Sequence, residues 1–397
     1  MKAAFFWGRV HHAIKLAPII IGLGNKGVDV EVITTDNSIN IDPPNAYFKE
    51  FNLHKFNHAK EYITGEDMSG INAMVATSSD IYSLGKMHQT ISPFWMASSL
   101  REAAENFVGF KEYLSTSAPD FIFALHEQNF FAKILFYIAH NLGIPTYSLQ
   151  EGIILEREEE DLGRYSSATS YTTKLFSWSE RDRQFYADSD KIVPVGPTHL
   201  DEAIKLKYNI TNYINYKAAY KTSMGFSPST PMIALVPPRL DLYAGDFLSD
   251  AKDIASWTRN KAINVVIRLH PFQGDEAQNI LNSVLLSKFA HIKIDVSSDG
   301  IPCIFASDAV ITQTSTVGLE AAALGTPLME IDFAYQGIEQ PLHRLGGATL
   351  LERGKLDTID KVIRGVFDID AANNFKQEYL PLADGNSVSR ILNEVLG

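Results

Sequence analysis

The run Ser307-Asp308-Ala309-Val310-Ile311-Thr312-Gln313-Thr314-Ser315-Thr316-Val317-Gly318-Leu319-Glu320-Ala321 reads as a buried strand whose end carries hydroxyl residues that open a helix, with an acid one turn inside. The first N–H groups of a helix have no partner within it and sit at the positive end of its dipole. Thr314, Ser315 and Thr316 are therefore suited to hold a phosphate, and Glu320 to accept sugar hydroxyls. Earlier in the chain, Arg268-Leu269-His270-Pro271 closes another apolar strand, Asn264 to Ile267. Each half alone has a plain structural reading. A Ser or Thr N-cap is ordinary helix punctuation, and a residue before Pro is pushed into extended geometry in any turn. Together, and in this order, Arg268, His270 and Pro271 with the hydroxyl run point to a nucleotide whose phosphate is a leaving group.

The elements that must position these residues alternate along the chain. Lys2 to Trp7 reads as a strand, His12 to Leu23 as a helix and Val28 to Thr34 as a strand, the βαβ pattern of a parallel sheet. Residues 35–95 carry little legible periodicity. A helix over Ala97 to Ser115 then leads to strand Phe121 to Leu125, helix Asn129 to Asn141, strand Thr146 to Gln150 and strand Lys174 to Trp178. His126-Glu127, after the first of these strands, is expected to face a cleft as acceptor or scaffold residues. After a break near Pro194 to Asp201 and a polar helical stretch to Ser223, a second series follows. Its strands are Met232 to Val236, Asn264 to Ile267, Ile292 to Val296, Ala309 to Thr312 and Leu328 to Ile331. The expectation is α/β, with two Rossmann-like parallel-sheet domains, 1–195 and 196–380, and a closing helix in 381–397 that packs back toward the first. Ligands of such folds sit at the carboxyl ends of the strands, in the cleft.

At 397 residues the chain suits two domains, and its 45% hydrophobic and 21% charged residues are ordinary for a globular protein. A formal charge of −12 argues against a nucleic-acid partner, because phosphate backbones reward Lys and Arg. Cys303 is the only cysteine, so no internal disulfide forms, and it reads as a buried small hydrophobe. The opening residues lack a signal-peptide pattern, and no apolar run approaches the roughly 20 residues of a membrane span. The expected setting is the cytoplasm, with room for peripheral association at the inner face of a membrane. His11 and His12 are adjacent and do not face one ligand together, and no H-E-x-x-H or C-x-x-C spacing occurs, so no metal site is expected.

At this level the chain resembles GT-B glycosyltransferases, in which two Rossmann-like domains face each other and the C-terminal one holds the nucleotide. His270-Pro271 resembles the His-Pro motif of bacterial sialyltransferases and of related 3-deoxy-manno-octulosonate (Kdo) transferases. That resemblance implies a CMP-activated sugar as co-substrate, no other cofactor, and a glycan or lipid-linked glycan acceptor in surface polysaccharide synthesis. Those families pair the His-Pro with an acid-acid-Gly motif and a Ser/Thr pair, matched here by Gln150-Glu151-Gly152 and Ser315-Thr316; Gln150 departs from the acid. The segment Val236-Pro237-Pro238-Arg239-Leu240-Asp241 falls where GT-B enzymes approach the donor phosphate, which makes Arg239 a candidate charge and Asp241 a second carboxylate. Two further resemblances stand beside this one. Arg9 to Pro18 and Asp384 to Ile391 resemble the opening and closing helices of UDP-N-acetylglucosamine 2-epimerases, whose His-Arg-rich segment has no counterpart here. CDP-glycerol glycerophosphotransferases carry a similar His-Pro turn and a Ser-rich helix start.

The chemistry so implied loads negative charge on a leaving phosphate and positive charge on a sugar carbon. His270 and the helix start at Thr314 to Thr316 would stabilise the first. Glu151, at a strand end, is the candidate base for an acceptor hydroxyl. Direct displacement with inversion, and a covalent route with retention through Asp241 or an acid of the run Glu156 to Asp161, are both open to this set; the run otherwise reads as a solvated face.

Overall fold

The computed structural model describes residues 1–8, 10–35, 56–84, 93–152, 169–238, 240, 243, 245–270, 273, 275–297, 299–313, 315–331 and 341–397. Arg239, Asp241, Pro271, Thr314 and the acidic run 156–161 lie outside them.

Residues 2–194 build a seven-stranded sheet from β1 (Lys2–Trp7), β2 (Asp29–Thr34), β3 (Phe56–His58), β4 (Phe121–Ala124), β5 (Thr146–Leu149), β6 (Lys174–Ser177) and β7 (Ile192–Pro194). Its order is β3-β2-β1-β4-β5-β6-β7, with every pair parallel. Central strands of such a sheet are covered on both faces, which is why β1 is a continuous apolar run, buried from Ala3 to Trp7. Phe5 stacks on Phe123 at 5.0 Å, Phe123 meets Tyr147 at 5.2 Å and Tyr147 stacks on Phe176 at 5.8 Å, so aromatic rings bridge the neighbouring strands β1, β4, β5 and β6. Helices α1 (Val10–Asn25), α2 (Gly65–Leu84), α3 (Pro93–Ser117) and α4 (Phe130–Asn141) accompany this sheet.

The second sheet has six parallel strands in the order β10-β9-β8-β11-β12-β13. They are β8 (Met232–Val236), β9 (Asn264–Arg268), β10 (Ile292–Asp295), β11 (Ala309–Thr312), β12 (Leu328–Ile331) and β13 (Thr349–Leu351). Helices α5 (Asp201–Tyr208) and α6 (Ile210–Ser223) lead into it. It carries α7 (Phe247–Asn260), α8 (Asp275–Leu281), α9 (Ile301–Ala306), α10 (Thr316–Leu324), α11 (Asp357–Ile363) and α12 (Ile369–Tyr379). Cys303 is fully buried in α9, as the sequence suggested.

The strand order of each sheet reverses once, between β1 and β4 and between β8 and β11. Loops diverge at such points and leave a crevice, so chemistry-bearing residues are expected just after these four strands. The join between domains fixes how the two crevices meet. Trp178, at the end of β6, packs in one buried cluster with Leu200, Ile204, Val236 and Val310 of the second half. Gly196 sits at φ +96, and a Cβ there would run into the Leu382 carbonyl, so only glycine lets the two chain passages cross. The last helix, α13 (Ser387–Leu396), places Ile391 in the core around β1 and α1, with Leu392 and Val395 beside it. The Val388 N–H donates to buried Asp201, and Lys174 pairs with Glu394, so α13 fastens both halves. No helix among the described residues is long and apolar enough to cross a membrane.

Candidate functional site

The site is built mostly from loops at the carboxyl ends of strands of both sheets, with Lys15 contributed from within α1. After β5, Gln150 is nearly buried, and its amide works in both directions. Nε2 donates to the Gly152 carbonyl at 2.7 Å, and Oε1 accepts the Trp178 N–H at 3.2 Å. Its own carbonyl accepts from Trp178 Nε1 at 3.2 Å. A carboxylate is an acceptor only and could not make the first bond, so the departure from the acid-acid-Gly pattern has a structural cause: Gln150 braces the turn that presents Glu151. Gly152 closes that turn against the other domain, where an added Cβ would sit 2.9 Å from Thr316 Cγ2.

Glu151 projects from this turn with its side chain 43% exposed. Its Oε2 lies 3.3 Å from Nε2 of His126, which follows β4. Its backbone carbonyl accepts from Lys15 Nζ, the only formal charge in the apolar body of α1 from His12 to Asn25. Glu127, beside His126, turns the opposite way. It is fully buried and accepts from Tyr171 N, Thr172 N and Thr172 Oγ1 at 2.8 to 3.1 Å, which makes it scaffold and holds the segment after β4 to the strand β6 region.

Across the cavity, Ser315 is the N-cap of α10. It has extended backbone angles, and its Oγ accepts the Val317 N–H at 3.3 Å. Ser315, Thr316 and Val317 line the same cavity as Lys15 and Glu151. Glu320, one turn into α10, is buried and bonded to His199 Nε2 at 3.0 Å. Burial pulls its carboxyl pKa up, but the His199 hydrogen bond and charge win, and the pKa ends below the ordinary value. Asp299 also lines the cavity. Burial and then the nearby Glu320 charge push it up, against the Ile301 N–H that it accepts at 2.9 Å.

The two members of the Arg268–His270 motif behave differently. His270 is partly exposed at the cavity wall. Arg268 is buried, 3.6 Å from Asp295, and donates to the Leu269 and Asp295 carbonyls at 3.1 and 3.3 Å. It is part of the cavity wall, and its guanidinium is committed to these internal partners.

The structure therefore brings together Glu151, Arg268, His270, Ser315, Thr316 and Glu320 on one cavity between the domains. Sequence reasoning missed Lys15, His199 and Asp299. An isolated lysine in an otherwise apolar helix was a readable signal for the first. Nothing local marks His199, because it acquires Glu320 through the crossing of the domains, and Asp299, whose carboxylate accepts the nearby Ile301 N–H, reads as an ordinary turn acid before Gly300.

No protein-family model and no curated protein matches this chain. Solved structures do. The UDP-GlcNAc 2-epimerase of Neisseria meningitidis, bound to UDP-GlcNAc, superposes with a TM-score of 0.65 at 14% identity over 100% of both chains. That of Methanocaldococcus jannaschii gives 0.62 at 17% identity over 100% of this chain and 99% of that one. The wall teichoic acid polymerase TagF, soaked with CDPG, gives 0.61 at 14% over 100% of this chain and 88% of that one. The fold is of the GT-B type. The likeness to proteins of such low identity speaks for the fold. The GT-B arrangement accounts for the cavity between the two sheets, where the strand order of each reverses.

Proposed function

We propose that the protein is an enzyme acting on a nucleotide-activated sugar held in the cleft between its domains. The observation that carries this reading is a juxtaposition. A half-exposed carboxylate, Glu151, and a capped helix start, Ser315-Thr316, line one cavity from opposite domains, and Gly152 allows them to approach. The helix start holds the phosphate, with His270 donating to the oxygen that gains charge as the phosphate leaves. The bond from sugar carbon to phosphate oxygen breaks with its electron pair going to the phosphate. Glu151 takes the proton of the attacking hydroxyl or steadies the positive charge on the sugar ring. Glu320 accepts hydroxyls of the nucleotide ribose or the sugar, and Arg268 contributes positive potential from the wall. Arg239, Pro271 and Thr314 complete the phosphate side in this reading, and Asp241 is the reserve nucleophile.

Within that class a UDP-activated N-acetylhexosamine comes first. It is supported by epimerase structures that span the whole chain and by the resemblance of the opening and closing helices to that family. A CMP-activated nonulosonate, Kdo or a sialic-acid-like sugar, transferred to a glycan, is the second reading. His270 on the cavity wall favours it, as the histidine of a His-Pro motif.

A thermal-shift panel of UDP, UMP, CMP and CDP tests the class and separates the readings, because a ligand at a hundredfold excess over Kd stabilises the folded state by about 2.7 kcal/mol. A response to UDP alone supports the first reading, and one to CMP the second. A response to CDP alone favours glycerophosphotransferase chemistry. No response to any of the four contradicts a nucleotide site in this cleft. The phosphate site described uses helix and side-chain donors, so the shift should survive EDTA.

A further inference from the structure

Nδ1 of His126 accepts the backbone N–H of Asn129 at 3.1 Å. A backbone N–H only donates, so the ring nitrogen facing it must offer a lone pair, and the single proton of the neutral imidazole then sits on Nε2. That nitrogen lies 3.3 Å from Glu151 Oε2, and a carboxylate only accepts. Both ends of the ring are thus fixed by partners of opposite character. Asn129 is itself held, because its Oδ1 caps α4 by accepting from Phe131 N and Ala132 N at 3.0 and 3.2 Å. The ring is anchored to the first turn of a helix whose buried face includes Ala132, Leu135 and Phe136.

From this geometry we infer that His126 is the positioning residue for Glu151, a neutral Nε2–H donor that holds Oε2 and favours the anionic, proton-accepting form of the carboxylate. This deepens the proposed function and rests on Glu151 being its base. The arrangement has a chemical logic. A full positive charge on the ring would displace the Asn129 N–H from Nδ1 and attenuate Glu151 as a base, whereas a neutral donor orients it without neutralising it. Lys15 contributes a cation beside the same turn through the Glu151 carbonyl, and the His12 ring centre is 6.1 Å from that of His126. From the facing domain the charged and titratable groups on the cavity are His199, Arg268, His270, Asp299 and Glu320.

Two measurements on the full chain test the inference. In the first, long-range ¹H–¹⁵N correlation is recorded on protein labelled with ¹⁵N-histidine, and His126 is assigned by the signals absent from His126→Gln. Near neutral pH the proton should be on Nε2 with Nδ1 unprotonated, and Glu151→Gln should move the Nε2 signal. A proton on Nδ1, or an Nε2 signal that Glu151→Gln leaves unmoved, overturns the assignment without any substrate. In the second, turnover of UDP-GlcNAc and of CMP-Kdo is followed against pH. His126→Ala should lower kcat about tenfold, the worth of one hydrogen bond to a charged acceptor, with KM little changed. It should also move the acidic limb of the pH profile upward, and His126→Gln, which keeps a donor near the Nε2 position, should restore the limb. A limb that stays in place in His126→Ala assigns the histidine a structural role only and overturns the inference. Failure of the wild-type protein to turn over either probe counts against the proposed function, while the labelled-histidine result decides the His126–Glu151 contact by itself.

Discussion

His199 Nε2 and Glu320 Oε1 lie 3.0 Å apart, with side chains 4% and 11% exposed, joining the turn after the first sheet to helix α10 of the second domain. His199 also packs against Trp178, ring centres 5.5 Å apart. The pair therefore ties the domain join to the cavity wall. Removing one partner leaves the other buried and unsatisfied, which costs roughly 1–3 kcal/mol.

His199→Ala should accordingly lower the melting temperature by several degrees and weaken nucleotide binding. Glu320→Gln, which keeps an acceptor for His199 and closely matches the shape, should unfold less readily than the His199 variant. Calorimetric melting of both proteins, with nucleotide titrations alongside, checks the ordering. Because the Glu320 carboxyl pKa is lowered in the fold, its contribution to stability is present above the ordinary carboxylate range and is lost as pH falls through the lowered value. The difference between wild type and Glu320→Gln should shrink in strong acid.

Ser315→Ala removes the cap that accepts the Val317 N–H, for a cost of about 1 kcal/mol to the helix. Combined with Thr316→Ala, it should weaken nucleotide binding without abolishing it, since the backbone donors of the helix start remain. Isothermal calorimetry giving unchanged affinity for the double variant would place the phosphate elsewhere.

His270→Ala should lower kcat at least about tenfold and leave the melting temperature near that of the wild type, because the proposed donation is strongest as charge develops on the phosphate and the ring is partly exposed. Steady-state kinetics beside a melting curve separate this from a folding defect.

Asp182 offers a test of the fold beneath the site. Burial pushes its carboxyl up to about 7, against the Ser179 N–H that it accepts at 2.9 Å. A carboxyl raised in the folded state binds its proton there more tightly than in the unfolded chain, so stability falls as pH rises from the ordinary carboxylate range toward 7. Asp182→Asn, which keeps an acceptor for Ser179 and cannot ionise, should raise the melting temperature by a few degrees at pH 8 and change it little at pH 4. An equal effect at both pH values would contradict the ionisation account.

Much of this architecture was readable from the chain. The strands around β1, β4, β8 and β11 announce themselves because sheets covered on both faces need unbroken apolar runs. The Ser315 cap was legible because its signal is local. Helix α2 was not. Gly65, Gly70 and the apolar Ala73 and Met74 between its buried Ile71 and Val75 blur the 3.6-residue period on which such a reading depends. Strands as short as β3 and β13 leave no period to detect. The candidate site was half legible for the same reason. Ser315, Thr316, His270 and Glu151 stand at strand ends that sequence marks. His199 reaches Glu320 only because Trp178, Gly196 and α13 bring two separate sheets together, and Asp299 stands after β10 in a run that reads as an ordinary turn. Gln150 looked like a departure from a catalytic pattern until its amide was found bonded to both Gly152 and Trp178.

The most direct test of the central claim compares wild-type protein with Glu151→Gln, incubated with UDP-GlcNAc and with CMP-Kdo, scoring the nucleotide released and the mass of the sugar product while nucleotide affinity is measured in parallel. Gln keeps the size and hydrogen-bonding capacity of the side chain and removes the base. Affinity should be retained, release should fall by roughly 10² to 10⁴, and the acidic limb of the pH profile should vanish from the residual activity. Release at the wild-type rate from the folded variant would contradict a catalytic Glu151 and move the reacting carboxylate to Asp241.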